Sequence, residues 1–200
     1  MIEIINVYKK YKNNEVFNIE YFKFNIGESY IIVGTNGSGK STLIKCILSI
    51  NNLSSGKIKL NSKNIGYVPE KYYFPEFCTI EKFLLSILEL YNLKENEKLI
   101  DYYCNLFKIN KKKKISKLSK GMQQKTLIIQ SLIHNANIYI FDEPLNGLDI
   151  ESQKLFFKII QGLKMKNNTI LITTHYPKLY GKKYDHIIRI DKGSLINENN

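Results

Sequence analysis

Residues 34–42 read GTNGSGKST, and an apolar run, LIKCILSI, follows at once. This order fits G-x-x-x-x-G-K-[ST], a pattern whose chemistry is the binding of phosphate. Glycines at 34, 37 and 39 let the backbone curl with its N–H groups facing inward. A helix opening at Lys40 adds the positive end of its dipole. The Lys40 ammonium can reach the outer phosphates, and the Ser41 hydroxyl is a hard oxygen ligand for Mg²⁺. The candidate phosphate contacts are Gly34, Asn36, Gly37, Ser38, Gly39, Lys40, Ser41 and Thr42. A bare glycine-rich turn is the competing reading, and the strand before the loop and the helix after it disfavour it. A second stretch, NIYIFDE at 137–143, delivers two carboxylates at the end of an apolar strand, where ligands bind in open α/β sheets. Asp142 can hold Mg²⁺ through water, and Glu143 can polarise an attacking water. An acidic helix cap would explain the pair less well, because Pro144 follows directly. The expected ligand is a nucleoside triphosphate with Mg²⁺.

The elements that must position these groups can be read from the pattern of apolar residues. IEIINV (2–7), FKFNI (22–26), SYIIVG (29–34), GKIKL (56–60), IGYV (65–68), NIYIF (137–141), TILITT (169–174), DHIIRI (185–190) and SLI (194–196) read as strands. Helices are expected over 40–50, from Thr79 as N-cap, over 95–107, 121–133 and 151–164. Apolar strands alternating with helices predict an α/β fold with a mainly parallel, covered sheet. The stretch 71–118 reads as helix throughout and interrupts the alternation, so a helical subdomain is expected there.

The chain has 200 residues and a net charge of +12, room for one domain with a modest insertion. A basic surface fits nucleic acid or an anionic membrane face. It fits equally a composition skewed to Lys, Asn, Ile and Tyr with one Arg and one Ala, so the charge decides nothing. The longest apolar stretch, FLLSILEL at 83–90, is too short to span a bilayer, and the opening MIEIINVYKK has no secretory pattern. A soluble, cytoplasmic chain is expected. Cys46, Cys78 and Cys104 have neither metal nor disulfide spacing, and buried thiols are expected.

LSKGMQQK at 118–125 narrows the function. Here the chain resembles the ATP-binding subunit of an ABC transporter. The motifs stand in that family's order: the phosphate loop, YVPE at 67–70, the signature at 118–122, the carboxylate strand, LNGLD at 145–149, and His175 after TILITT. Ser119 can cap a helix and Gly121 permits close backbone approach. The resemblance implies a P-loop ATPase of this type, with an antiparallel N-terminal β subdomain, a nucleotide-binding core (1–70 and 119–200) and a helical subdomain (71–118). It implies ATP and Mg²⁺ as ligands, and a second ATP-binding subunit in a head-to-tail dimer, homo- or heteromeric. It implies that Leu118, Ser119, Gly121 and Met122 serve the nucleotide of the opposite subunit. Asp149 resembles the carboxylate that crosses the interface, and His175 the histidine at the γ phosphate. Tyr11 resembles the aromatic that stacks on adenine, with Tyr8 as competitor; His134 and His186 read as structural. Separate membrane-spanning permease subunits are the implied partners, with this chain peripheral on the inner face of the cell membrane.

Departures from the family pattern are Glu70 in place of Gln, Lys120 and Met122 in the signature, and Thr35 in the loop. Glu70 resembles subunits of drug and antibiotic exporters, so export is expected, with Glu70 near the catalytic centre and the metal. The alternative is a soluble ATPase of the same type acting on nucleic acid or ribosomes. Such proteins carry paired nucleotide domains or a long coiled coil, and neither is seen here, so no direct nucleic acid contact is expected.

Overall fold

A computed structural model describes residues 1–12, 14–181 and 183–198, with Glu95 described by its backbone alone. Two sheets hold helix α1 (Lys40–Ile47) between them. The first sheet has three strands in the order β2 (Asn14–Phe24), β1 (Ile2–Tyr11), β4 (Ser55–Leu60), paired antiparallel. The second has six, in the order β5 (Ile65–Val68), β6 (Ile138–Asp142), β7 (Thr169–Thr173), β3 (Ser29–Val33), β8 (His186–Asp191), β9 (Ser194–Asn197). All its pairings are parallel except β8 with β9.

The central strands β3, β6 and β7 are buried along their whole length. The reason is that both faces are covered, and period-2 alternation sends successive side chains into two different cores. Tyr139 and Phe141 of β6 pack with the helices α2 (Ile80–Leu90), α3 (Glu97–Leu106), α4 (Lys120–Leu132) and α5 (Ile150–Met165). Ile138 and Ile140 pack the other way, with Leu43, Ile44 and Ile47 of α1 and Ile4, Val7 and Phe17 of the antiparallel sheet.

The expected elements occur, with differences in extent. β2 covers residues 14–24, whereas only 22–26 carried a strand pattern; its earlier half alternates around polar residues, and pairing with β1 makes it a strand. α1 ends at Ile47, and Ile50, expected inside the helix, is exposed. The stretch 71–118 is not helix throughout: α2, α3 and two short 3-10 turns at Lys94–Asn96 and Ile115–Lys117 alternate with loops at 71–78 and 108–114. The helix expected over 95–107 is α3, which starts at Glu97 after the 3-10 turn and ends at Leu106. Thr79 caps α2 as expected, accepting from the Lys82 N–H at 3.3 Å. Cys46 and Cys104 are buried, Cys78 is half-buried, and none forms a disulfide. Among the described residues no helix is long and apolar enough to cross a membrane.

Candidate nucleotide site

The loop between β3 and α1 is shaped by close approach. A Cβ on Gly34 would lie 2.4 Å from Ser38 Oγ. Gly39 stands at φ 101°, in the left-handed region that favours glycine, and a Cβ there would meet Val16 at 2.9 Å. Gly39 is also the N-cap of α1 and supplies no side-chain cap, so the first N–H groups of the helix are left for a ligand. Lys40 opens the helix and is buried. Its Nζ donates to the Gly34 carbonyl at 2.8 Å and the Thr35 carbonyl at 3.1 Å. Burial lowers the pKa of this ammonium, against the pull of Glu143, Asp142 and Glu70.

The carboxylates reach the same place from β6. Asp142 ends the strand, and Glu143 follows at φ 50°, a left-handed conformation that costs a non-glycine residue about 1 kcal/mol. Both are buried. The Glu143 N–H donates to the Thr173 carbonyl on the neighbouring strand at 3.2 Å, and the Thr173 hydroxyl donates to Asp142 Oδ1. Glu143 Oε1 is buried with no hydrogen-bond partner; His175 Nε2 lies 3.4 Å away. Burial, then the charge of Asp142, push the Glu143 carboxyl up to about 7, opposed by Lys40 and the His175 backbone.

These groups line one cleft of about 370 Å³, together with Tyr11, Val16, the loop from Asn36 to Thr42, and Glu70. Gly34 sits behind it, under Ser38. Two observations fit a bound phosphate with a metal. Ser38 Oγ and Glu143 Oε1 are both buried polar atoms lacking partners, which is costly unless a ligand satisfies them. Ser41, Asp142 and Glu70 are hard oxygen donors in the lining. Among the described residues no group of three His, Cys, Asp or Glu could hold a metal alone, so phosphate oxygens would have to complete the shell, as suits Mg²⁺.

The other expected site residues fall in two places. Tyr11 is in the cleft, half-exposed, its hydroxyl accepting from Asn51 Nδ2 at 2.8 Å. Tyr8 is not in the lining. Glu70 is exposed at the rim, two residues past β5. The signature residues lie outside the cleft. Ser119 caps α4 by accepting from the Met122 N–H at 3.3 Å, Leu118 is buried, and Met122 Sδ accepts from Lys113 Nζ at 3.5 Å. Gly121 abuts the turn after β6: a Cβ there would be 2.6 Å from the Gly147 carbonyl oxygen. Asp149 also lies outside. It caps α5 through the Ser152 N–H at 2.8 Å and pairs with Lys125 at 2.8 Å, contacts that hold its carboxyl well below the usual range. His134 and His186 are not in the cleft lining and stack on Tyr91 and Tyr30.

Two residues of the site were not read from the sequence. Val16 lines the cleft from β2, whose first half carried no strand signal. Thr173 was visible only as a hydroxyl in an otherwise apolar strand end.

A family model described as ABC transporter matches residues 18–146. An uncharacterized ABC transporter ATP-binding protein, MJ1023, of Methanocaldococcus jannaschii is 35% identical over 98% of this chain and 76% of its own length. The zinc import ATP-binding protein ZnuC of Rickettsia conorii is 34% identical over 94% of this chain and 82% of its own length. A solved structure of the ATP-binding cassette MJ0796, a dimer in a post-hydrolysis state bound to ADP and Pi, superposes with a TM-score of 0.87 at 21% identity, covering 99% of this chain and 98% of that one, and so shares the fold. The match spans the stretch that holds the loop and the carboxylate strand, and with these relatives it shows that the chain belongs to the ABC transporter family, as one of its ATP-binding subunits, an ATPase.

Proposed function

We propose that this subunit hydrolyses ATP in the cleft between Lys40 and Glu143, and that turnover closes and opens a head-to-tail dimer that drives separate membrane-spanning subunits. The observation that carries this reading is the separation of two anion-binding features. The phosphate loop lines the cleft, while the capped start of α4 at Ser119 lies outside that lining. A second copy, or a related subunit, placed head to tail brings that helix end to the open side of the cleft. The dimeric structure of the cassette MJ0796, which shares this fold, supports pairing of two such subunits.

In this reading the loop amides and Lys40 hold the phosphates, Tyr11 supports adenine, and Ser41 and Asp142 hold Mg²⁺, with Glu70 close by. The metal neutralises phosphate charge when bound. Glu143, with its raised pKa, accepts a proton from the attacking water, and His175 orients at the γ phosphate. Leu118, Ser119, Gly121 and Met122 face the opposite nucleotide, and Asp149 lies at the interface. We take 71–118 as the helical subdomain and 1–70 with 119–200 as the nucleotide-binding core. The chain works at the cytoplasmic face of the cell membrane, bound to its permease.

The resemblance of Glu70 to exporter subunits supports export, whereas the relatives named above are an uncharacterized subunit and a zinc import subunit, not drug exporters. Import of a divalent metal is the second reading, favoured by the similarity to the zinc import subunit. Purification from native membranes tests the assembly: a membrane-spanning protein should accompany this chain, and ATPase activity should respond to it. Activity stimulated by RNA or DNA with a salt-steep affinity would favour the nucleic acid alternative instead. ATP-driven Zn²⁺ uptake into reconstituted vesicles would replace export by import.

A further inference from the structure

The catalytic and metal-holding carboxylates of the proposed site are adjacent in the chain, and one hydroxyl on the next strand touches both. Thr173 is fully buried at the end of β7, in register with Asp142 across the parallel pairing. Its hydroxyl donates to Asp142 Oδ1. A carboxylate oxygen accepts, so the single hydroxyl proton is directed there. The lone pairs of the same oxygen accept from the Glu143 N–H at 3.2 Å, and the Thr173 carbonyl accepts from that N–H at the same distance. Glu143 is left-handed at this point, and such a conformation persists only where neighbours hold it. The hydroxyl therefore engages one oxygen of Asp142, leaving the other to serve the cleft, and it fixes the backbone from which the Glu143 side chain projects.

We propose that Thr173 is a positioning residue for the metal and the attacking water, acting through Asp142 and Glu143. The proposal rests on the assignment of Asp142 to the metal and Glu143 to the water. Groups that orient a metal ligand from behind typically contribute 10- to 100-fold in metal affinity or activity.

The test uses Thr173→Val, which keeps the branched shape suited to a buried strand and removes the hydroxyl, and Thr173→Ser, which keeps the hydroxyl and removes the methyl. Mn²⁺ is titrated into each protein with ATP below the protein concentration and into ATP alone, and the Mn²⁺ bound beyond the ATP-alone control is read by electron paramagnetic resonance. ATP affinity without metal is measured by calorimetry. The valine variant should lose about 10- to 100-fold in Mn²⁺ affinity and a similar factor in kcat. Its metal-free ATP affinity should stay within about twofold, because the loop is untouched. Serine should restore both losses. A residue needed only for packing would give the opposite ranking, with serine the poorer variant. If valine does not fold, Thr173→Ala carries the same comparison. Valine binding Mn²⁺ like the parent overturns this inference and leaves the nucleotide site standing. A parent protein that binds no Mn²⁺ with ATP overturns both.

Discussion

His175 Nε2 stands 3.4 Å from Glu143 Oε1, the one carboxylate oxygen of the cleft that is buried without a hydrogen-bond partner. The histidine ring is more than a third exposed, whereas the glutamate side chain is enclosed. The pair therefore links a buried carboxylate to the open side of the cleft, beside the space a phosphate would occupy.

Glu143→Gln keeps the shape of that base and removes its proton affinity. Turnover should fall about 10²–10⁴-fold, with ATP binding retained. In the presence of ATP a dimer should accumulate on a sizing column. Near-normal hydrolysis would show that another group activates the water.

Lys40→Ala acts on a different quantity. The ammonium is a charged donor already inside the loop. Its loss removes a charge-assisted hydrogen bond to phosphate worth about 1.5–3 kcal/mol, so ATP affinity should drop about 10- to 100-fold by calorimetry. Unchanged affinity would mean the loop does not hold the phosphates.

The pKa of about 7 at Glu143 has a kinetic and a thermodynamic sign. In the proposed role Glu143 must be ionised, so kcat/KM, which reports the free enzyme, should rise with pH through about 7. Stability of the nucleotide-free protein goes the other way. Between the ordinary carboxyl value of 4.5 and about 7 the folded state holds a proton that the unfolded chain releases. This residue's contribution therefore declines as pH rises across that window. Denaturant midpoints at pH 5 and 8 should differ less in Glu143→Gln than in the parent.

Gly121→Ala places a Cβ 2.6 Å from the Gly147 carbonyl oxygen, a backbone atom that cannot step aside. The start of α4 must shift away from the turn after β6, at a cost of about 1–3 kcal/mol. ATP binding by the monomer should persist, while ATP-driven dimerisation weakens. A variant that melts and dimerises like the parent would remove Gly121 from the interface.

The chemistry of this chain was far more legible than its edges. The loop, the carboxylate strand and the central strands announce themselves because they are local. Glycine spacing, a lysine and an unbroken apolar run need no distant partner to be recognised. β2 shows the limit. Asn14, Glu15, Asn18 and Glu20 are poor strand formers, and the strand exists because β1 pairs with it over nearly its whole length. Val16 reached the cleft unseen for the same reason. Thr173 was hidden differently: its strand was clear, but which polar group a buried hydroxyl meets is set by register with β6, a relation between residues 31 apart. The stretch 71–118 read as helix throughout, whereas 71–78 is a loop in which Tyr73 and Phe77 are fully exposed.

Lys40, at the end of the loop, donates to the Gly34 and Thr35 carbonyls at its start. These contacts tie the two ends of the loop together in its cradle form, and a cradle held by its own side chain needs little further ordering to receive phosphate. A cradle ready-made for the shared inner phosphates receives spent and fresh nucleotide alike. On the proposed assignment, telling the two apart falls to Glu143 and His175 on the far wall, and the clock of the cycle is set by what that wall senses rather than by how tightly the loop grips.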